Sequence, residues 1–394
     1  MAPLTSPEMH ESDRKPNWNV MRTFDLTLHF DDETLGHDET GCYLCLLGCR
    51  KPLYQAGQVV AGHMVIRPVR NIHISGVSVI FSGRYVTKWR EDQTTWGNYS
   101  LFYEEVVYVV EKRQMELDGQ RYYRYDFEYR LPVDLPSSLK CADGKLAYCA
   151  QGVVHAQTGS DIYTNARRFR VWATVDTGRL PSSLRDPVER AEEQVCKSWL
   201  TGDDRVRVKL MLNVQTLVPG EPLVATATVD NLTSRAVGYS IALQQVMAFS
   251  AILGCENRGK HSTPLYHRRR HRKQTTKDLA SSGVVAVTPH TAVTARRIFS
   301  IPRALLPSSQ SHISVPHPLR QHGDIISPEI YVSYVVKLSV SSESSGSELS
   351  IPIEVDIGTT DSRSQQHKTD DAASTIETEC SLYSHSLYSH SGII

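Results

Sequence analysis

The chain of 394 residues lacks a dominant charge: 43 Lys and Arg balance 43 Asp and Glu. A global pull toward nucleic acid or an anionic membrane is therefore not expected, and any such binding has to be local. No run of about 18 apolar residues occurs, so no transmembrane helix is expected. The opening MAPLTSPEMHESDRKPNWNV has no apolar core of the secretory kind. Ala2 stands where N-myristoylation needs glycine, and the closing SGII offers no prenylation Cys. These absences point to a soluble, cytoplasmic protein. The 19 prolines are never adjacent, so no diproline presents a polyproline II ridge. There is no Gly-rich phosphate loop, no G-x-S-x-G elbow, no HExxH and no pair of C-x-x-C knuckles. An enzyme is not expected, nor a cofactor.

Cysteines are few. Cys42, Cys45 and Cys49 cluster as CYLCLLGC, but a structural zinc site needs four ligands and the next Cys is Cys141. The intervening residues are apolar, as around buried free thiols, so no metal is expected.

What the chain does contain is one signature written twice. Leu53 to Ile66 reads LYQAGQVVAGHMVI and Leu217 to Val229 reads LVPGEPLVATATV. Each is an apolar entry, a Gly-containing turn and an alternating run rich in β-branched residues, a strand-turn-strand pattern expected to make a hairpin. Units of a solenoid run about 20–50 residues, far closer than these two; the spacing suits two related β domains in tandem. Alternation supports further strands at Phe24 to Phe30, Val77 to Phe81, Tyr123 to Arg130, Val206 to Leu212, Ser240 to Val246 and Tyr331 to Val340. Many short strands, turn residues and no long 3.6-residue period imply an all-β protein of two β-sandwiches.

The expected organisation is a disordered segment 1–22, a first sandwich 23–177, a linker 178–197, a second sandwich 198–358 and a disordered Ser/Thr-rich tail 359–394. The linker carries two prolines and allows one short helix across RAEEQVC. The second sandwich carries long polar insertions, a basic one at 256–280 and another from Ser308 to Gly323.

These residues, in this order, resemble the arrestin domain-containing proteins, the α-arrestins. In the first unit the resemblance rests on Tyr54-Gln-Ala-Gly-Gln-Val-Val-Ala-Gly62, Val77-Ser-Val-Ile-Phe-Ser-Gly83 with Trp89, Tyr125-Asp-Phe-Glu-Tyr-Arg-Leu-Pro132, Leu135-Pro-Ser-Ser138 and Gly144-Lys-Leu-Ala-Tyr148. In the second it rests on Val218-Pro-Gly-Glu221, Val229-Asp-Asn231, Gln244-Gln245, Ile301-Pro302 and Ile351-Pro-Ile-Glu-Val-Asp-Ile-Gly-Thr359. Gly57, Gly62, Gly83, Pro132, Pro219, Gly220, Asn231, Pro352 and Gly358 are the fold-motif positions. The resemblance implies two tandem immunoglobulin-like sandwiches, an arrestin N and an arrestin C domain. It also implies a cytoplasmic adaptor, peripheral at the plasma membrane or endosomes, that binds membrane receptors or transporters and directs endocytic or endosomal sorting. Many α-arrestins recruit HECT-type ubiquitin ligases through Pro-Pro-x-Tyr. With no diproline, such a ligase would be reached indirectly here.

One charged constellation is a candidate site. Arg268, Arg269, Arg270, Arg272 and Lys273, with Arg258 and Lys260 upstream, form a basic loop expected to dock phosphate-bearing groups, anionic phospholipids among them. A nuclear signal or a merely solvated loop fits the same run. A different class of function, sequestration of a soluble partner in signalling or redox control, stays open through Cys255. The reactive cysteine of the thioredoxin-interacting relative, however, aligns near Gly283, where this chain has none.

Overall fold

A computed structural model describes residues 42–46, 52–111, 113–198, 202–253, 270–309, 329–342 and 348–360. The first half begins with β1 (Cys42–Leu46), β2 (Leu53–Gln55), β3 (Val59–Ile66), β4 (Ile72–Glu91) and β5 (Thr94–Val110). It continues through β6 (Met115–Leu117), β7 (Tyr123–Arg130), β8 (Leu139–Lys140), β9 (Gly144–Ala156), β10 (Ile162–Tyr163) and β11 (Arg167–Trp172). The second half opens with β12 (Val188–Ser198), β13 (Gly202–Leu212), β14 (Thr216–Leu217), β15 (Pro222–Asn231) and β16 (Val237–Leu253). It closes with β17 (Arg270–Ser281), β18 (Val285–Val287), β19 (Thr291–Ser300), β20 (Ile330–Ser342) and β21 (Glu348–Ile357).

Each half pairs a small sheet of its own with part of a large shared one. The small sheets are β1-β3-β7 and β12-β13-β15-β19. The large sheet runs β14-β21-β20-β16-β5-β4-β9-β11-β2 through both halves. Alternation decides which side chains go inside. In β15, Leu223, Ala225, Ala227 and Val229 are buried while Val224, Thr226 and Thr228 are partly open. In β7, Phe127 is buried and Arg124, Asp126, Glu128 and Arg130 are exposed. Two cores result. One gathers Phe81, Tyr103, Tyr148 and Phe169, with the Phe81 ring stacked on Tyr129 at 4.6 Å; the other gathers Leu210, Leu223, Ile241, Tyr334 and Ile353. Each such large apolar side chain contributes about 1.5–3 kcal/mol on burial.

The repeated signature is confirmed as strand-turn-strand but not as a hairpin. β2 pairs parallel with β11, while β3 pairs with β1 and β7 in the opposing sheet. In the second half β14 pairs parallel with β21, and β15 with β13 and β19. Each turn thus carries the chain from one sheet of its sandwich to the other. The two turns use the same bonds. The Gln58 N–H donates to the Gln55 carbonyl at 3.0 Å, and Glu221 N–H to Val218 at 3.1 Å. The Gln58 side-chain oxygen accepts from Gln55 N–H at 2.9 Å, and the Glu221 carboxylate from Val218 N–H at 2.8 Å. Gly57 and Gly220 have φ of 86° and 95°, as the third position of a type II turn requires.

The stretch expected as a linker is structured. Two 3-10 turns at Thr177–Arg179 and Ser182–Arg185 lead directly into β12, which pairs with β13 along its whole length. The helix considered across RAEEQVC is therefore a strand. Its Ala, Glu and Gln are good helix formers, but the preference is small and tertiary pairing overrides it; side chains on one face meet cations on β13, Glu189 bonding Lys209 at 2.7 Å and Glu193 reaching Arg207 at 3.3 Å. The basic insertion is also part strand, because residues 270–280 lie in β17 against β16. The expected strand Phe24 to Phe30, residues 1–22, residues 256–269, 310–323 and the tail beyond Thr360 lie outside the described residues.

Candidate functional site

The chemistry of this molecule concentrates where the two sandwiches meet. The β4-β5 hairpin is long, 20 and 17 residues, and turns through Asp92 and Gln93, both at positive φ (46° and 67°). That is the two-residue turn whose twist matches antiparallel strands. The arm carries Trp89 and Trp96, both buried, to the second domain. There β16 joins its edge, with Ile252 opposite Gly97 and Leu253 opposite Trp96. Phe249 and Ala251 of β16 and Ile330 of β20 enter the first domain's core. Gly144 leaves room for them: a Cβ there would lie 2.8 Å from Ile330 Cδ1 and 3.0 Å from the Phe249 ring.

Polar groups tie the same seam. The Thr87 hydroxyl donates to the Ser250 carbonyl at 2.9 Å. Ser250 N–H donates to the Glu329 carbonyl at 2.8 Å, and the Asn98 amide donates to Glu329 Oε1. Glu329 Oε2 is buried without a hydrogen-bond partner. Burial pushes this carboxyl up to about 7, against a smaller opposing pull from the Ser100 hydrogen bond and the Arg270 charge. A second crossing lies at the end of β21. Thr359 N–H donates to Val175 at 2.8 Å and Thr177 N–H to Thr360 at 2.9 Å.

The basic run meets this seam. Arg268 and Arg269 lie outside the described residues; Arg270, Arg272 and Lys273 sit on β17 rather than on a loop. Lys273 Nζ lies 2.7 Å from Asp143 of the first domain. Between the arginines, His271 lies 2.7 Å from Glu91 and stacks on the Trp96 ring at 4.6 Å. Lys273 and the neighbouring His271 therefore serve as interdomain contacts. Arg270 and Arg272 are exposed. Sequence reasoning grouped these cations by proximity along the chain, and strand alternation sorts them onto two faces.

The fold-motif positions have separate duties. Gly57 N–H donates to the Pro132 carbonyl at 3.1 Å, and Gly220 N–H, after Pro219, donates to Ile301 at 3.1 Å. Gly62 is buried in β3 opposite Phe127. At Gly83 a Cβ would stand 2.7 Å from the Phe102 ring and 2.9 Å from Tyr148. At Gly358 it would stand 2.3 Å from Thr177 Cγ2 and 2.8 Å from the Val175 carbonyl. The Pro352 carbonyl accepts from Arg190 at 3.1 Å. Asn231, fully buried, donates to the carbonyls of Arg235, Val287 and Thr288 at 2.7, 3.2 and 3.1 Å. Its oxygen accepts from Thr233 N–H and Oγ1 at 3.1 and 2.7 Å.

One arrangement missed in the sequence has the connectivity of a catalytic triad. Ser78 Oγ lies 2.8 Å from His155 Nε2, and His155 Nδ1 lies 3.0 Å from Asp161 Oδ2. Catalysis also requires an accessible nucleophile and donors for the developing oxyanion. Ser78 is fully buried and central in the sheet, paired with Tyr108 on one side and Val153 on the other. We therefore assign the relay to satisfying a buried hydroxyl. Among the described residues no group of His, Cys, Asp and Glu is placed to hold a metal. Burial raises the Cys141 thiol, so it is not activated as a thiolate, and the buried Cys149 lies 3.2 Å from the Ser82 hydroxyl. Cys42 and Cys45 lie on β1; Cys49 and Cys255 are outside the described residues. No helix among the described residues is long and apolar enough to cross a membrane.

Comparison with known proteins matches residues 44–177 to the arrestin (or S-antigen) N-terminal domain and residues 202–362 to the arrestin (or S-antigen) C-terminal domain. Arrestin domain-containing protein 4 of Mus musculus is 22% identical over 215 residues, covering 51% of each chain. The Homo sapiens protein of the same name is 21% identical over 216 residues, again 51% of each. Arrestin domain-containing protein 5 of Bos taurus is 22% identical over 196 residues, 47% of this chain and 58% of the relative. The chain spans about half the length of the relatives it matches.

Proposed function

This chain belongs to the arrestin family, and we propose that it is an adaptor that binds the cytoplasmic parts of membrane receptors or transporters and directs their endocytic or endosomal sorting. The observation that carries this reading is the presence of both arrestin domains in order, joined along one continuous sheet. Such a frame offers loops, sheet faces and edge strands to a partner and is suited to recognition. Its place of work, in this reading, is the cytoplasmic side of the plasma membrane or endosomes. A ubiquitin ligase of the HECT type is reached through an intermediary, since the chain has no Pro-Pro-x-Tyr. Proximity labelling in cells is the test. Enrichment of receptors, transporters and ubiquitin ligases is expected; a single dominant soluble partner would overturn the reading in favour of sequestration.

Anion docking by the basic run belongs to the same proposal, narrowed to Arg268, Arg269, Arg270 and Arg272. Each cation at an anionic leaflet contributes about 1 kcal/mol, so replacing all four with alanine is expected to weaken binding to phosphatidylserine vesicles by up to roughly a thousandfold. The wild-type binding should fall as salt rises, as surface electrostatics requires. Lys273→Ala should leave vesicle binding unchanged and lower thermal stability instead, because its charge pairs with Asp143. Salt-insensitive binding, or binding unmoved by the four substitutions, excludes docking through this run.

A further inference from the structure

We propose that Glu329 is a proton-operated latch between the two domains, seating the second domain on the β4-β5 arm when neutral and loosening it when ionised. The position of the residue carries the inference. Glu329 immediately precedes Ile330, whose side chain enters the first domain's core, and its own carbonyl holds Ser250 of β16. Its carboxyl points toward the first domain, where Asn98 and Ser100 of β5 donate to it. Oε2 is enclosed and receives no hydrogen bond from the described residues. Among the described residues, the other polar groups acting on it are Arg270 from β17 and the buried Tyr85 hydroxyl from β4. Tyr85 Oη is also without a hydrogen-bond partner. Among the described residues, an ionised carboxylate here has one oxygen without a hydrogen bond and only Arg270, itself exposed, as a compensating cation. Protonation removes that charge and gives the enclosed carboxyl a hydrogen of its own to donate.

The sign follows from linkage. With the seam closed the group titrates near 7; once the seam opens to water it returns toward its ordinary 4.5. The closed state thus binds the proton more tightly. Its advantage is fully present below 4.5, declines about tenfold per pH unit between the two values, and is lost as pH rises through 7. Acidification tightens the seam, and neutral to alkaline conditions release it. The Lys273–Asp143 and Thr87–Ser250 bonds do not depend on this proton, so the seam loosens without losing every tie.

Hydrogen exchange of the full-length chain between about pH 5 and 8, corrected for intrinsic rates, reads the latch directly. Peptides covering Trp96–Gly97 and Ile252–Leu253 should lose protection by roughly tenfold or more as pH rises, while peptides from the middle of β15 stay unchanged. In Glu329→Gln, a neutral isostere, protection at the seam should be flat across the range. A flat wild-type profile, or a Glu329→Gln profile that follows the wild type, overturns the proposal. Carbon-13 titration of the wild-type glutamate carboxyls gives a decision that needs no variant: a Glu329 midpoint near 7 supports the latch, and one near 4.5 overturns it.

Discussion

Asn231→Ala is expected to destabilise the second domain by about 3–5 kcal/mol. The side chain makes five hydrogen bonds from a fully buried position at the end of β15. Removing it takes a donor from three carbonyls, of which Arg235 keeps the Thr233 hydroxyl and Thr288 the Thr291 hydroxyl, and takes the side-chain acceptor from the Thr233 N–H. Each stranded buried group costs about 1–3 kcal/mol, although some will find substitutes. For a domain of this size that is a fall of roughly 10 °C in Tm, read by differential scanning calorimetry. Asn231→Asp sharpens the test. It keeps the acceptor facing Thr233 but turns an oxygen toward the carbonyls of Arg235, Val287 and Thr288, so it should cost at least as much as alanine at neutral pH. Thr233→Val, which loses the hydroxyl but leaves the amide in place, should cost about 1 kcal/mol. If Asn231→Asp matched the wild type, the amide would not be holding these carbonyls.

Phe249→Ala is expected to uncouple the two domains. Phe249 belongs to a second-domain strand but is 1% exposed within the first domain's core, so its removal leaves a cavity on the far side of the boundary. Buried Phe→Ala substitutions cost about 3–5 kcal/mol. Because Phe249 reaches that core from the second domain, its loss weakens the coupling between the two, so calorimetry should resolve two transitions where a single coupled transition is expected of the wild type. Gly144→Val approaches the same contact from the first domain. Its side chain would collide with Ile330 and Phe249, and it should separate the transitions in the same way. A single, uniformly lowered transition in both variants would mean that the seam does not couple the domains.

These effects differ in how far the sequence announces them. The type II turns at Gly57 and Gly220 are coded within four residues, because positive φ at the third position calls for glycine. The inward faces of β7 and β15 follow from alternation alone. The arrestin family itself is legible through motifs of this local kind. β12 and β17 misled for a common reason: their strands are amphiphilic through charge, not through apolar alternation, and RAEEQVC and RHRKQTTKDL carry no apolar face to mark them. Ladder pairing with β13 and β16 overrode weak local preferences. Of the basic run, the sequence revealed the cations but not that Lys273 is committed to Asp143, 130 residues away.

The repeated turn, the two-domain plan and the all-β class were thus determined by the chain on its own, since period-2 burial and glycine stereochemistry act over a few residues. The seam was decided only by tertiary structure. Trp96 with His271, Asn98 with Glu329, and Gly144 with Phe249 meet across more than a hundred residues because the long β4-β5 arm and the end of β16 share one edge. Burial at that edge, and not any local motif, raises the Glu329 carboxyl toward neutrality, because desolvation depends on what folds over a group rather than on its neighbours in sequence.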